Sequence, residues 1–137
     1  MQRAIVSALV FASFLLTAAP VTHAKDVGQG EKVFVVPAQG RVGTRFKVMC
    51  KDFPEPASFD VIYIVPAGTP DTDLNTPAGQ DLKVLWKDYA VNCYRGGQSL
   101  GPVGPFAPGA YEVRFQTTLY NNDKRGEIAA RTSFTVK

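Results

Sequence analysis

The sequence predicts an all-β fold, an antiparallel sandwich of about seven strands. Three observations carry that prediction. Runs rich in β-branched and aromatic residues recur between turns of glycine and proline, of which the chain has 12 and 10 in its 137 residues. Several runs alternate apolar and polar side chains, the two-residue period of a half-buried strand. Past the N-terminus, no run carries the 3.6-residue apolar period of a helix.

The N-terminus stands apart from this pattern. Met1-Gln2-Arg3 supplies a short positive region, and Ala4–Ala19 is apolar apart from Ser7, Ser13 and Thr17. Pro20 breaks the run, and Thr22-His23-Ala24 puts small residues where a signal peptidase reads. The expectation is a signal peptide over 1–24, cut after Ala24, and one mature domain over 25–137 that is periplasmic or secreted. The apolar run is short for a membrane span, which needs roughly 20 residues. No cysteine follows it to take a lipid anchor.

Lys32–Pro37 reads as a first strand ended by proline, and Gly40 and Gly43 mark the turn before a second, Arg45–Lys51. There Phe46, Val48 and Cys50 share one face, and Arg45, Lys47 and Lys51 the other. Phe53-Pro54-Glu55-Pro56 is a stiff linker. Asp60–Val65 is apolar on both faces, as in a central strand covered on both sides or a face used for contact. Pro66–Gln80 is rich in turn formers and reads as a loop. Lys83–Trp86 and Asp88–Tyr94 read as two short strands. Gly96–Pro108, interrupted by Gly97, Gly101, Pro102, Gly104 and Pro105, reads as too broken for a regular element. Tyr111–Thr118 and Ile128–Val136 then form a terminal hairpin around the loop Asn121–Gly126. In its first strand Tyr111, Val113, Phe115 and Thr117 oppose Glu112, Arg114 and Gln116.

The formal net charge is +3, and loss of residues 1–24 removes Arg3 and lowers it by one. So small a bias, without a basic-aromatic cluster, gives no footprint for nucleic acid. The only histidine, His23, lies in the expected signal peptide. A Ser-His-Asp triad or a histidine-based zinc site is therefore impossible in the mature domain. Cys50 and Cys93 are the two cysteines. In an exported domain they are most simply a disulfide, and a catalytic thiol would lack an activating histidine.

Ile64-Val65-Pro66-Ala67-Gly68-Thr69-Pro70-Asp71, Pro108-Gly109-Ala110-Tyr111-Glu112-Val113-Arg114 and Ala129-Ala130-Arg131-Thr132-Ser133-Phe134-Thr135-Val136 together resemble immunoglobulin-like modules of exported bacterial proteins. The resemblance spans roughly Lys32 to Val136. It implies an immunoglobulin-like antiparallel sandwich, with Tyr111 as the corner tyrosine whose hydroxyl bonds the backbone of the preceding loop. Val61 stands where those modules carry tryptophan. Val113 stands where antibody domains place their second cysteine, so a Cys50–Cys93 bond is this chain's own staple.

Each candidate site stands beside a plainer alternative. Asp71-x-Asp73-x-Asn75 resembles the start of a calcium loop, but Thr76 and Leu82 occupy the glycine and glutamate positions, leaving a solvated turn. Arg45, Lys47 and Lys51, extended by Arg41, form a basic stripe for an acidic partner or anionic glycan, or else a soluble face or a guard against edge pairing. Trp86, Tyr89 and Tyr94 are candidates for stacking on sugars or anchoring a protein, with burial as the alternative. Asp60, Asp81, Asp88, Glu112 and Glu127 show no spacing that pairs two across a cleft. Gly96, Gly97, Gly101 and Gly104 open no helix that would hold a phosphate.

The expectation is a non-catalytic exported protein, with no cofactor or metal, that acts by surface binding in the bacterial envelope. Its partner would be another envelope protein or a glycan, not nucleic acid, met through Pro66–Gln80, Gly96–Pro108 or an exposed sheet edge. One alternative is an inhibitor that plugs a hydrolase with the proline-stiffened segment Gly101-Pro102-Val103-Gly104-Pro105. Another is a carbohydrate-binding module using Trp86 or Tyr94.

Overall fold

A computed structural model gives the fold and describes residues 32–53, 60–94, 97–117 and 126–137. The expected signal peptide, the linker at 54–56 and loop residues 121–125 lie outside the described residues. The elements are β1 (Lys32–Val36), β2 (Gln39–Gly40), β3 (Phe46–Lys51), β4 (Val61–Pro66), α1 (Pro77–Gln80), β5 (Trp86–Tyr89), β6 (Gln98–Val103), β7 (Gly109–Gln116) and β8 (Ile128–Val136). They form two sheets, β1-β3-β6 and β2-β8-β7-β4-β5. Strand pairings are antiparallel except that of β2 with β8. The all-β, sandwich-like fold expected from the sequence is the one observed.

Alternation explains which side chains meet between the sheets. Val33, Val35, Phe46, Val48 and Cys50 on one sheet are buried against Ile62, Ile64, Val113, Phe115 and Phe134 on the other. Phe46 and Phe134 bring ring centroids to 5.0 Å, and Phe53 stacks on Phe115 at 3.9 Å. Tyr111 packs beside Phe134 at 5.3 Å and donates its hydroxyl to the Ala107 carbonyl at 2.5 Å. Cys50 and Cys93 place their sulfurs 2.11 Å apart and join β3 to the turn after β5. Next to that bond, Phe53 N–H donates to the Cys93 carbonyl at 3.1 Å.

Three expectations need correction, and one face that alternation left undecided is closed. The loop Pro66–Gln80 contains the helical turn α1: Thr76 caps it by accepting from Gly79 N–H at 3.1 Å, and Pro77 occupies its first position. Gly79 is required there, because a Cβ would lie 1.9 Å from the Asp73 carbonyl oxygen. The two short strands expected over Lys83–Tyr94 are the single strand β5, followed by a turn closed by Cys93 N–H on the Ala90 carbonyl. The segment expected to be too broken contains β6. An edge strand tolerates Pro102, and a register shift against β3 lets Leu100 and Val103, three positions apart, both turn inward. Finally, the face of β7 carrying Arg114 and Gln116 is buried, 1% and 0% exposed.

Candidate functional site

The two outer faces of the sandwich differ, and that difference defines the candidate site. On the five-stranded sheet β4 turns Val61, Tyr63 and Val65 outward, yet all three are buried, packed under Leu74 and Val84. Segment 67–85 thus lies over its own sheet, and β4 is covered on both sides. Cross-strand register sets Lys87, Tyr63, Arg114 and Arg131 in one row on this face. Three cations in a row repel unless anions sit among them.

The chain supplies them. Arg114 donates through its terminal nitrogens to the carbonyls of Pro70 at 2.9 Å and Thr69 at 2.5 Å, and through Nε to Glu112. Arg131 grips Asp71, and its NH1 also reaches Glu112 Oε1 at 3.3 Å. Gln116 accepts from Leu74 N–H at 3.0 Å and donates to the carbonyls of Thr72 and Gly126 at 3.0 and 3.1 Å. The hydrogen bonds that Arg131 donates to Asp71 push its guanidinium above its ordinary value, so it stays charged. Burial pushes the Tyr63 phenol up, with the Arg114 guanidinium opposing. The Tyr63 hydroxyl is buried, with the Arg114 guanidinium as its polar neighbour. This face is a strap held by buried polar side chains.

The calcium-like triplet belongs to that strap. Asp71 pairs with both arginines, and Asp73 Oδ1 accepts from the backbone N–H and side-chain amide of Asn75 at 2.9 and 3.2 Å, an Asx turn. Among the described residues no group of three histidine, cysteine or acidic side chains is placed to hold a metal ion. Of the acidic residues considered for catalysis, Glu112 is taken up by the two guanidinia, and Asp88 Oδ1 accepts from Tyr89 N–H at 2.8 Å.

The three-stranded sheet presents the opposite picture. Register places Phe34 beside Met49, Val36 beside Lys47, and Met49 beside Ser99, all on its outer face with Lys51. Lys47 and Ser99 are exposed, Val36 is 51% exposed, and Phe34, Met49 and Lys51 are half-buried. Among the described residues no element lies across them. A depression of about 110 Å³ opens between Phe34, Met49, Lys51 and the 97–99 stretch of chain. Gly97 lets that stretch approach, since its φ is +79° and a Cβ would meet the Cys50 carbonyl at 2.1 Å.

The residues expected as a binding set are only partly assembled. Lys47 and Lys51 share the open face, while Arg45 is drawn aside by donating to the Gly104 carbonyl. β3 is the central strand, so its lysines do not guard an edge. Trp86 is half-buried against the core from the other sheet, and Tyr89 is 53% exposed on the same strand. Tyr94 is half-buried and bridges to Phe53, two residues beyond Lys51. The segment expected to plug a hydrolase is in large part β6, with Val103 buried.

The sequence reading missed Tyr63, Arg114 and Gln116. Their signal was present in β4: a strand apolar on both faces needs a cover, and its neighbour in the sheet shares that cover. Comparison of the chain with protein-family models, curated proteins and solved structures gave no match.

Proposed function

We propose that this chain is an exported, non-catalytic immunoglobulin-like domain that acts by binding a partner in the bacterial envelope through its surface. The observation that carries the reading is the asymmetry of the two outer faces. One is closed by the chain's own strap; on the other, among the described residues, Val36 and Lys47 are exposed beside half-buried Phe34, Met49 and Lys51. Contiguous apolar patches rimmed by polar residues mark contact surfaces, and Phe34, Val36 and Met49 adjoin one another on this face. Export is supported by the N-terminal pattern and by a disulfide, a bond that persists in oxidising compartments. The immunoglobulin-like assignment is supported by the strand order and by Tyr111, whose hydroxyl reaches back to Ala107. Segment 67–85 is engaged in covering its own sheet, so the sheet face is the better candidate.

The test is a photo-crosslinking residue in place of Ser99 on the open face, with the protein expressed in its native envelope. A matched probe replaces Ser133, exposed on the other sheet. The expected result is a discrete adduct from position 99 and none, or a weaker one, from position 133. Absence of any adduct from either position would sink the proposal. Recovery of the protein in the cytoplasm with residues 1–24 attached would remove its export component.

A further inference from the structure

We infer that the open face of β1, β3 and β6 docks an extended acidic segment of a partner protein, one that alternates carboxylates with an apolar residue. The inference rests on the surface-binding reading above and specifies the partner's chemistry.

The first argument is charge complementarity. The described strands of this sheet contain no carboxylate, while Lys47 and Lys51 project from its central strand on either side of Met49. Four positions along a strand span about 13 Å, and Met49 sits midway. A second extended chain repeats its side chains with the same rise. One with carboxylates at its first and fifth positions and an apolar residue at its third matches lysine, methionine and lysine in turn. Phe34, beside Met49 in the register, widens the apolar centre.

The second argument is the molecule's own precedent. On the five-stranded sheet the outward row of Arg114 and Arg131 beside the apolar Val61, Tyr63 and Val65 is covered by an irregular segment. That segment carries Asp71, which meets the guanidinia, and Leu74, which covers the apolar patch. The chain thus closes one cationic-apolar sheet face with an acidic-apolar segment and, among the described residues, leaves a second face of the same chemistry open. A partner segment of that kind completes it. A nearby cationic face also speeds the encounter with an acidic chain and makes it sensitive to salt.

The experiment uses the purified, disulfide-bonded protein and a dye-labelled, end-capped peptide. The peptide carries glutamate, leucine and glutamate at alternate positions, with threonine between. Controls are the same peptide with lysine for glutamate, and vesicles containing phosphatidylglycerol. The expected result is saturable binding of the acidic peptide that weakens in 0.5 M salt and falls about tenfold or more in Lys47→Glu/Lys51→Glu. Lys47→Gln/Lys51→Gln gives a smaller loss and serves if charge reversal impairs folding. Four outcomes overturn the inference: no saturable binding, equal binding of the lysine peptide, binding unchanged in both double variants, or vesicle binding without peptide binding. An adduct from position 99 combined with no peptide binding leaves surface binding standing and removes only the acidic segment.

Discussion

Arg131 grips Asp71 with both terminal nitrogens, NH1 to Oδ1 at 3.0 Å and NH2 to Oδ2 at 2.6 Å, and so ties β8 to a residue sixty positions earlier. Arg114 shares that carboxylate at 3.3 Å. The two arginines are not equivalent, because the Arg131 side chain is 40% exposed and that of Arg114 is 2% exposed. Removing Arg131 breaks a solvated pair worth about 1 kcal/mol or less. Removing Arg114 takes a buried guanidinium away from Glu112 and from the Thr69 and Pro70 carbonyls, at about 2–4 kcal/mol. Urea unfolding of Arg131→Met and Arg114→Met should therefore give a clearly larger loss for the second. Equal losses would show that the strap is not anchored through Arg114.

Gln116 anchors the same strap by neutral hydrogen bonds. Gln116→Met keeps much of the volume but leaves Leu74 N–H without its acceptor and two carbonyls without a donor. The expected loss is roughly 1–3 kcal/mol. Hydrogen exchange at Leu74 should accelerate by more than the global destabilisation accounts for, whereas Val113 in the core should track it. Uniform acceleration across both would mean that Gln116 supports the whole fold instead of the strap.

These two residues show where strand periodicity stops being informative. Alternation placed Tyr111, Val113 and Phe115 correctly in the core, and it separated Arg114 and Gln116 onto the opposite face. What it does not encode is whether a distant segment returns to cover that face. The apolar outer row of β4 was legible, but the side chains on β7 and β8 that anchor its cover lie more than forty positions from it in the chain. Strand β6 escaped detection for another reason, since a register shift breaks the two-residue period on which the reading depends. The open face was half legible: Lys47 and Lys51 were apparent as a stripe, but their place on a central strand beside Phe34 and Met49 depends on pairing. Cys50 was readable as inward-facing by its position in β3.

Tyr63 makes stability depend on alkaline pH. Burial raises its phenol above the ordinary value of 10.0, so the folded state keeps the proton that the unfolded chain releases. Its contribution is fully present below pH 10 and declines as pH rises from there toward the folded value. Tyr63→Phe should remove this part of the decline and leave a flatter stability profile above pH 10. Its phenolate absorbance should appear in the wild type only with unfolding. A Tyr63 phenol that ionises near pH 10 in the folded protein would contradict the buried placement.

Tyr111→Phe tests the corner. The ring stays between Phe106 and Phe134, with centroids near 5.3 Å, and only the hydroxyl bond to Ala107 is lost. The loss should be about 1 kcal/mol, since a single intramolecular hydrogen bond contributes that much net. A loss near that of Tyr111→Ala, expected to be several times larger, would place the importance of the hydroxyl above that of the ring.

The Cys50–Cys93 bond closes a loop of 43 positions and joins the three-stranded sheet to the turn beyond β5 on the other. Chain entropy assigns such a loop about 4 kcal/mol, acting on the unfolded state. Cys50→Ala/Cys93→Ala should lose up to that amount, with a fall in the thermal midpoint. The effect should not stop at stability. β3 and the 97–99 stretch frame the depression beside Lys51, and the carbonyl of Cys50 is in close reach of Gly97. The double variant should therefore also loosen the open face, seen as faster exchange at Met49 and Ser99 than at Val113 once global stability is matched with an osmolyte. Matched exchange at all three would confine the disulfide to the unfolded state and separate it from the binding face.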